Sequence, residues 1–229
     1  MTETTQTPDR TEYCVKVYTP FNRLWHWSQA ASILILVFTG LRIAGLHSLI
    51  PFKAAVGIHT ITALALLLLW IFATFWLFTT GAWKQFLPRS KGFLTMVKFY
   101  AWGVFHGEHS PYRKKLKQRH NPLQAATYMA LKMVLFPAIW STGIIYLLHT
   151  FWSDLDRGSF WLTIVANLHI LAGFAIIAFV VAHLYLLTIG GFRKHVAPMI
   201  TGFDRINLTK EEAAYLKQDE PGRLRETRD

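Results

Sequence analysis

Four histidines stand where an ionisable side chain is costly. His26, His59, His169 and His183 fall within or at the start of long apolar runs, while His47, His106, His109, His120, His149 and His195 lie at run ends or in the segments between. An imidazole retained in hydrocarbon has either a hydrogen-bonding partner on a neighbouring helix or a functional role. The spacing of two of them points to a metal. His169 and His183 are fourteen residues apart in one run, which on a helix is roughly 21 Å of rise and a return to within about 40° of the starting direction. One helix thus presents two imidazoles on one side at two depths, and His26 and His59, each near the start of a different run, supply one more at each depth. The expected couples are His26 with His183 and His59 with His169. The runs bring no nearby carboxylate or thiolate, so a structural zinc set is incomplete, whereas haem carries four ligands of its own. Two such couples suit two b-type haems. Bis-histidine ligation leaves no open position at iron, so the expected work is electron transfer.

These residues need a scaffold, and the apolar runs provide it. They extend from about Leu24 to Leu46, Gly57 to Thr80, Pro122 to Phe151 and Phe160 to Ile189. Each meets the roughly 20 residues that a helix needs to cross a ~30 Å hydrocarbon layer, and helices span because they satisfy their own backbone. The fold class expected is an all-α membrane protein, a bundle of four transmembrane helices. Of 229 residues, 52% are hydrophobic and only 16% charged, yet the formal net charge is +11. The basic residues are sorted between the runs. The N-terminal segment holds Arg10, Lys16 and Arg23, the segment 81–121 holds nine including Arg113, Lys114, Lys115, Lys117 and Arg119, and the C-terminal tail holds eight. The other two loops carry Arg42, Lys53 and Arg157. This positive-inside pattern places both termini and the central loop in the cytoplasm of a bacterial inner membrane. Lipid head groups account for the charge, and nucleic acid is not needed as a partner. The expected organisation is a cytoplasmic segment 1–23, a membrane domain 24–190 with a cytoplasmic loop 81–121, and a cytoplasmic tail 191–229.

With His26 opening the first helix on the cytoplasmic side and His59 opening the second on the outer side, each couple belongs to one leaflet. Arg23 and Arg42, near the two ends of the first helix, are candidates to pair haem propionates or to anchor in head groups. Lys132, within the third run, either snorkels to the interface or sits in a proton path. Phe93 to Phe105 reads as a short interfacial helix or a plain loop, and Thr209 ahead of Glu211 and Glu212 opens a short helix in an exposed tail. The lone Cys14 excludes an internal disulfide or an iron–sulfur ligand set. The polar residues before Pro20 carry no signal-peptide core.

The stretch Asn22-Arg23-Leu24-Trp25-His26-Trp27, with Thr39-Gly40-Leu41-Arg42, Gly57-Ile58-His59, Asn121-Pro122-Leu123-Gln124 and the pair His169 and His183, resembles the membrane cytochrome b subunits of formate dehydrogenases, nickel–iron hydrogenases and thiosulfate reductases. The resemblance covers roughly Val17 to Phe203. It implies a di-haem subunit of a respiratory complex that exchanges electrons with membrane quinone, either menaquinone or ubiquinone, and with a partner redox subunit of iron–sulfur, multi-haem, molybdenum or nickel–iron type. It also implies a quinone site close to the cytoplasmic haem at the start of the third helix. Asn121 and Gln124 are candidates there by motif and His120 by proximity, although Asn121 ahead of Pro122 also fits a helix cap. No catalytic triad, phosphate loop or carboxylate pair suggests an independent hydrolase or transferase. Two other readings stay open: a stand-alone di-haem oxidase that passes electrons from a soluble reductant such as superoxide to quinone, and a haem-free membrane anchor or transporter.

Overall fold

The structure, a computed structural model, describes residues 10–108, 110–112, 120–149, 160–189 and 191–225. His109, the basic cluster 113–119 and Arg157 lie outside these residues. In chain order the elements are β1 (Arg10–Lys16), α1 (Pro20–Ile43), α2 (Phe52–Thr79), α3 (Phe93–Ala101), α4 (Pro122–Ala130), α5 (Phe136–Leu148), α6 (Phe160–Ile189), α7 (Phe192–Thr201), β2 (Phe203–Thr209), α8 (Lys210–Asp219) and β3 (Leu224–Arg225). Four helical stretches are long and apolar enough to cross a membrane: α1, α2, the joined α4 and α5, and α6. Their 24 to 30 residues correspond to about 36–45 Å of helix. Side chains such as Ile61, Leu68 and Phe75 on α2 and Leu171 and Val181 on α6 stay exposed. Such surface suits lipid as its solvent.

α1 starts where its sequence tells it to. The Asn22 amide donates to Thr19 Oγ1 and the Thr19 amide to Asn22 Oδ1, a reciprocal cap around Pro20, whose missing N–H costs nothing at a first position. The third span is interrupted instead of capped. Between α4 and α5 the turn Leu131–Leu135 is a π-helix, and the Phe136 amide donates to the Leu131 carbonyl five residues back. Pro137 follows at once. A proline ring crowds the carbonyl four residues earlier and donates no hydrogen bond, and widening the turn by one residue relieves both problems. Lys132 lies within this wide turn.

The chain divides into two compact units. One comprises Trp25–Leu87 and Ala126–Leu186, the bulk of the four spans. The other gathers the described residues before Trp25, those from Pro88 to Ala125 and those after Leu186.

The second unit corrects the all-α expectation. It contains a three-stranded antiparallel sheet of order β2-β1-β3, with Tyr13 opposite Ile206 and Val15 opposite both Asp204 and Leu224. Val15, Val17, Ile206, Leu208, Ala213 and Leu216 form its core. α8 reaches that core through Ala213 and Leu216, three residues apart on one face. Its start is a capping box in which Thr209 Oγ1 accepts from the Glu212 amide while the Glu212 carboxylate accepts from the Thr209 amide. The tail expected to be wholly exposed is therefore partly a folded cap. Gly202 links α7 to β2 at φ 91°, and its carbonyl accepts the amides of Val17 and Tyr18 at 2.8 and 3.1 Å. A Cβ there would meet the Tyr18 carbonyl oxygen at 2.9 Å. Only glycine suits both the angle and the approach. In the same unit, Phe93–Phe105 is resolved as α3 followed by the single turn Gly103–His106, with Met96 buried and Leu94 exposed.

Leu216, fully buried, carries the first prediction. Leu216→Ala is expected to destabilise the sheet unit by about 2–5 kcal/mol, read as faster amide hydrogen exchange in β2 and α8 with unchanged exchange in α2 and α6.

Candidate functional site

Within the unit of the spans, α2 and α6 bring His59 and His169 side by side, with ring centroids 6.3 Å apart and planes inclined by 71°. Each ring is held from behind by a threonine. Thr39 of α1, 1% exposed, donates its hydroxyl to the Ile35 carbonyl at 2.7 Å and lies 2.9 Å from His59 Nδ1. Thr142 of α5 donates to the Ala138 carbonyl at 2.6 Å and lies 3.1 Å from His169 Nδ1. A hydroxyl whose proton is already committed can only accept, so Nδ1 carries hydrogen in both rings. For His169 a second contact gives the same answer, because Nδ1 also faces the Ile139 carbonyl at 3.1 Å, and a carbonyl accepts only. Both imidazoles are thus left with an unprotonated Nε2. This is the tautomer that a metal ligand needs.

Next to each threonine stands a glycine beside the ring. A Cβ on Gly40 would approach His59 Cε1 to 3.4 Å, and one on Gly143 would approach His169 Cε1 to 3.0 Å. An apolar cleft of about 470 Å³ lined by Leu34, Ile35, Phe38, Thr39, Ile50 and Ile58 opens beside the Thr39 contact.

His26 stands on α1 and His183 on α6. His183 stacks on Phe179 one turn earlier, centroid to centroid 5.9 Å, and His26 meets the edge of Trp27 at 5.1 Å. His26 Nδ1 is buried without a hydrogen-bond partner.

Residues 17–202 match the family model described as prokaryotic cytochrome b561. The chain belongs to the prokaryotic cytochrome b561 family. A relative in Escherichia coli (strain K12), named "Putative cytochrome YdhU", is 27% identical over 182 residues, which cover 77% of this chain and 69% of that protein. No solved structure matches. This cytochrome b561-family protein is a multi-pass membrane cytochrome b, a class that binds b-type haem.

The histidine geometry fits that group. Two metal–nitrogen bonds of about 2 Å each separate the ligating nitrogens by about 4 Å, and the two half-rings add about 2 Å more. The sum lies close to the observed 6.3 Å between His59 and His169.

The remaining candidates are placed as follows. Arg42 donates from Nε to the Ile50 carbonyl at 2.7 Å and packs over Phe52 at 5.8 Å, closing the loop between α1 and α2. His47 joins the same closure, with Nε2 at 2.8 Å from the Phe38 carbonyl and its ring stacked on Phe38. In the sheet unit, Arg23 donates to the Ile200 carbonyl at the end of α7, and its Nε is buried without a partner. Asn121, 3% exposed, caps α4 in a reciprocal box: its Oδ1 accepts from the Gln124 amide at 2.8 Å and Gln124 Oε1 accepts from the Asn121 amide at 3.2 Å. Asn121 Nδ2 donates to the Tyr100 hydroxyl at 3.1 Å. The His120 carbonyl accepts from the Tyr112 hydroxyl at 2.9 Å. Burial pushes that phenol above its usual range, and the Arg89 charge partly offsets the shift.

Thr142 and Gly143 are the site residues that sequence reasoning missed. A signal was available, because Thr-Gly occurs at 39–40 and again at 142–143, each inside a span. Replacing Gly143 by leucine in this cytochrome b is expected to drive the His169 ring from its place. The change should lower the bound haem in a pyridine haemochrome assay, while Gly222→Leu, outside the spans and with open space around its Cβ position, should leave haem content unchanged.

Proposed function

We propose that this chain carries electrons across the bacterial inner membrane, between a partner redox subunit and the quinone pool, using two b-type haems. The single observation that carries this reading is the pair of imidazoles 6.3 Å apart, each with Nδ1 tied to a committed threonine hydroxyl and Nε2 left for a ligand. In the proposed assignment His59 and His169 would hold one haem and His26 and His183 the other. A bound b-type haem supplies an iron that accepts and releases one electron without binding substrate.

The protein's own residues do the rest. Thr39 and Thr142 orient the imidazoles and keep them basic toward metal, and Gly40 and Gly143 let the rings approach their helices. Leu34, Ile35, Phe38 and Ile58 line an apolar cleft beside Thr39. We place both termini and the segment 81–121 in the cytoplasm, on the strength of the Lys and Arg distribution. The partner subunit, of iron–sulfur, multi-haem, molybdenum or nickel–iron type, would carry the substrate chemistry. Asn121 and Gln124 have their side-chain oxygens engaged at the start of α4, and their proposed part near quinone is to shape that end of the helix.

A reduced-minus-oxidised optical spectrum with haemochrome quantification tests the assignment. The native chain is expected to hold two haems, and His169→Ala and His183→Ala one each. Retention of both haems in both variants would overturn it.

A further inference from the structure

α3 has two faces of different character. On one, Met96 is buried, and the Tyr100 hydroxyl accepts from Asn121 Nδ2 at 3.1 Å. A Cβ on Gly92, the residue before the helix, would stand 3.8 Å from Pro122 Cγ. Asn121 caps the third span and Pro122 is its first residue, and all of these residues belong to one compact unit. The helix is therefore fastened, at its start and near its end, to the place where a membrane-crossing helix begins.

The other face is apolar and uncovered. Leu94 is 78% exposed and Val97 37%, and with Ala101 they fall within about 60° of one another around the helix. The turn Gly103–His106 and the residue before it add Phe105 and Trp102, 63% and 61% exposed. The Trp102 indole is held in place: the His106 ring stacks on it at 4.3 Å, and His106 Nδ1 lies 3.0 Å from the Trp102 carbonyl. Four large apolar side chains exposed together mark a surface that binds something.

Position and charge say what. The first turn of a span lies at the head-group layer when that span crosses a bilayer, so a helix fastened there meets lipid before it meets any other partner. Exposed Lys91 and Lys98 border the apolar face, and between Pro88 and Glu108 the cations Arg89, Lys91 and Lys98 face a single acid, Glu108. Apolar and tryptophan side chains flanked by lysine are the composition of a helix that lies in an anionic interface. Thr95, about 100° round the helix from Leu94, falls on the side that such a pose leaves to water.

We propose that α3 and the turn after it form a lipid-docking surface, with Leu94, Val97, Trp102 and Phe105 entering the head-group layer of an anionic leaflet and Lys91 and Lys98 pairing with lipid phosphates. The docking needs the spans but no haem.

The test uses the full-length chain with Cys14→Ser, in nanodiscs of phosphatidylglycerol and phosphatidylcholine, carrying one nitroxide at Leu94→Cys, Phe105→Cys or Thr95→Cys. Collision of the nitroxide with oxygen, which concentrates in bilayers, is compared with collision with a water-soluble nickel chelate. Labels at 94 and 105 are expected to favour oxygen and the label at 95 to favour nickel, and either of the first two serves alone if the other variant does not fold. Nickel access at 94 and 105 equal to that at 95 overturns the surface. Shielding from both reagents, the sign of a protein partner or a second copy, overturns it as well. In phosphatidylcholine alone the oxygen preference is expected to fall, and an unchanged preference overturns the assignment to anionic lipid.

Discussion

A histidine in a bilayer is oriented most firmly toward a ligand role through one nitrogen when the other is held. Here the holding groups are Thr39 and Thr142, whose hydroxyls have already given their hydrogens to the Ile35 and Ala138 carbonyls. In water such a chain of two hydrogen bonds would compete with solvent and fix little. In an apolar surround it has no competitor, and an unmet imidazole N–H would cost the full penalty of an unsatisfied buried donor. The tautomer, the ring orientation and the availability of Nε2 then follow from one contact at each ring.

That contact also sets demands on the helices. The threonine must stand on a different helix from its histidine, so α1 supports α2 and α5 supports α6. Beside Thr142, a Cβ at 143 would press on the imidazole at 3.0 Å, whereas beside Thr39 a Cβ at 40 would meet its imidazole at an ordinary 3.4 Å. The other couple is built differently. His183 leans on Phe179, while His26 Nδ1 is buried without a partner. Under the proposed assignment the two haems would meet ligand environments of unequal polarity, and burial and hydrogen bonding to the ligands are the main levers a protein has on iron.

Much of the membrane part was legible in the residues. Four apolar stretches of spanning length and four histidines inside them follow from composition and spacing, and both survive as α1, α2, α4 with α5, and α6. The sheet was not legible. β1 and β2 are seven residues each and pair across nearly the whole chain, Arg10 with Thr209, so neither strand has a local turn to announce it. The Thr209 cap was visible, but that α8 would bury Leu216 depends on a sheet assembled from both ends. Asn121 and Gln124 illustrate a different difficulty: the same two side chains suit a ligand contact and a helix cap, and residue type does not separate the two.

Sequence alone determined that four stretches are long and apolar enough to cross a membrane, that histidines fall within or at the start of three of them, and that His169 and His183 share one side of one helix. These are local properties, set by hydropathy and by the pitch of the helix. Only the tertiary structure decided which nitrogen of each ring is free, that Thr142 and Gly143 stand behind His169, that Lys132 lies between Trp25 and Phe86, and that the two ends of the chain close into a sheet. Each of these depends on a contact between residues far apart in sequence, and neither periodicity nor composition carries that information.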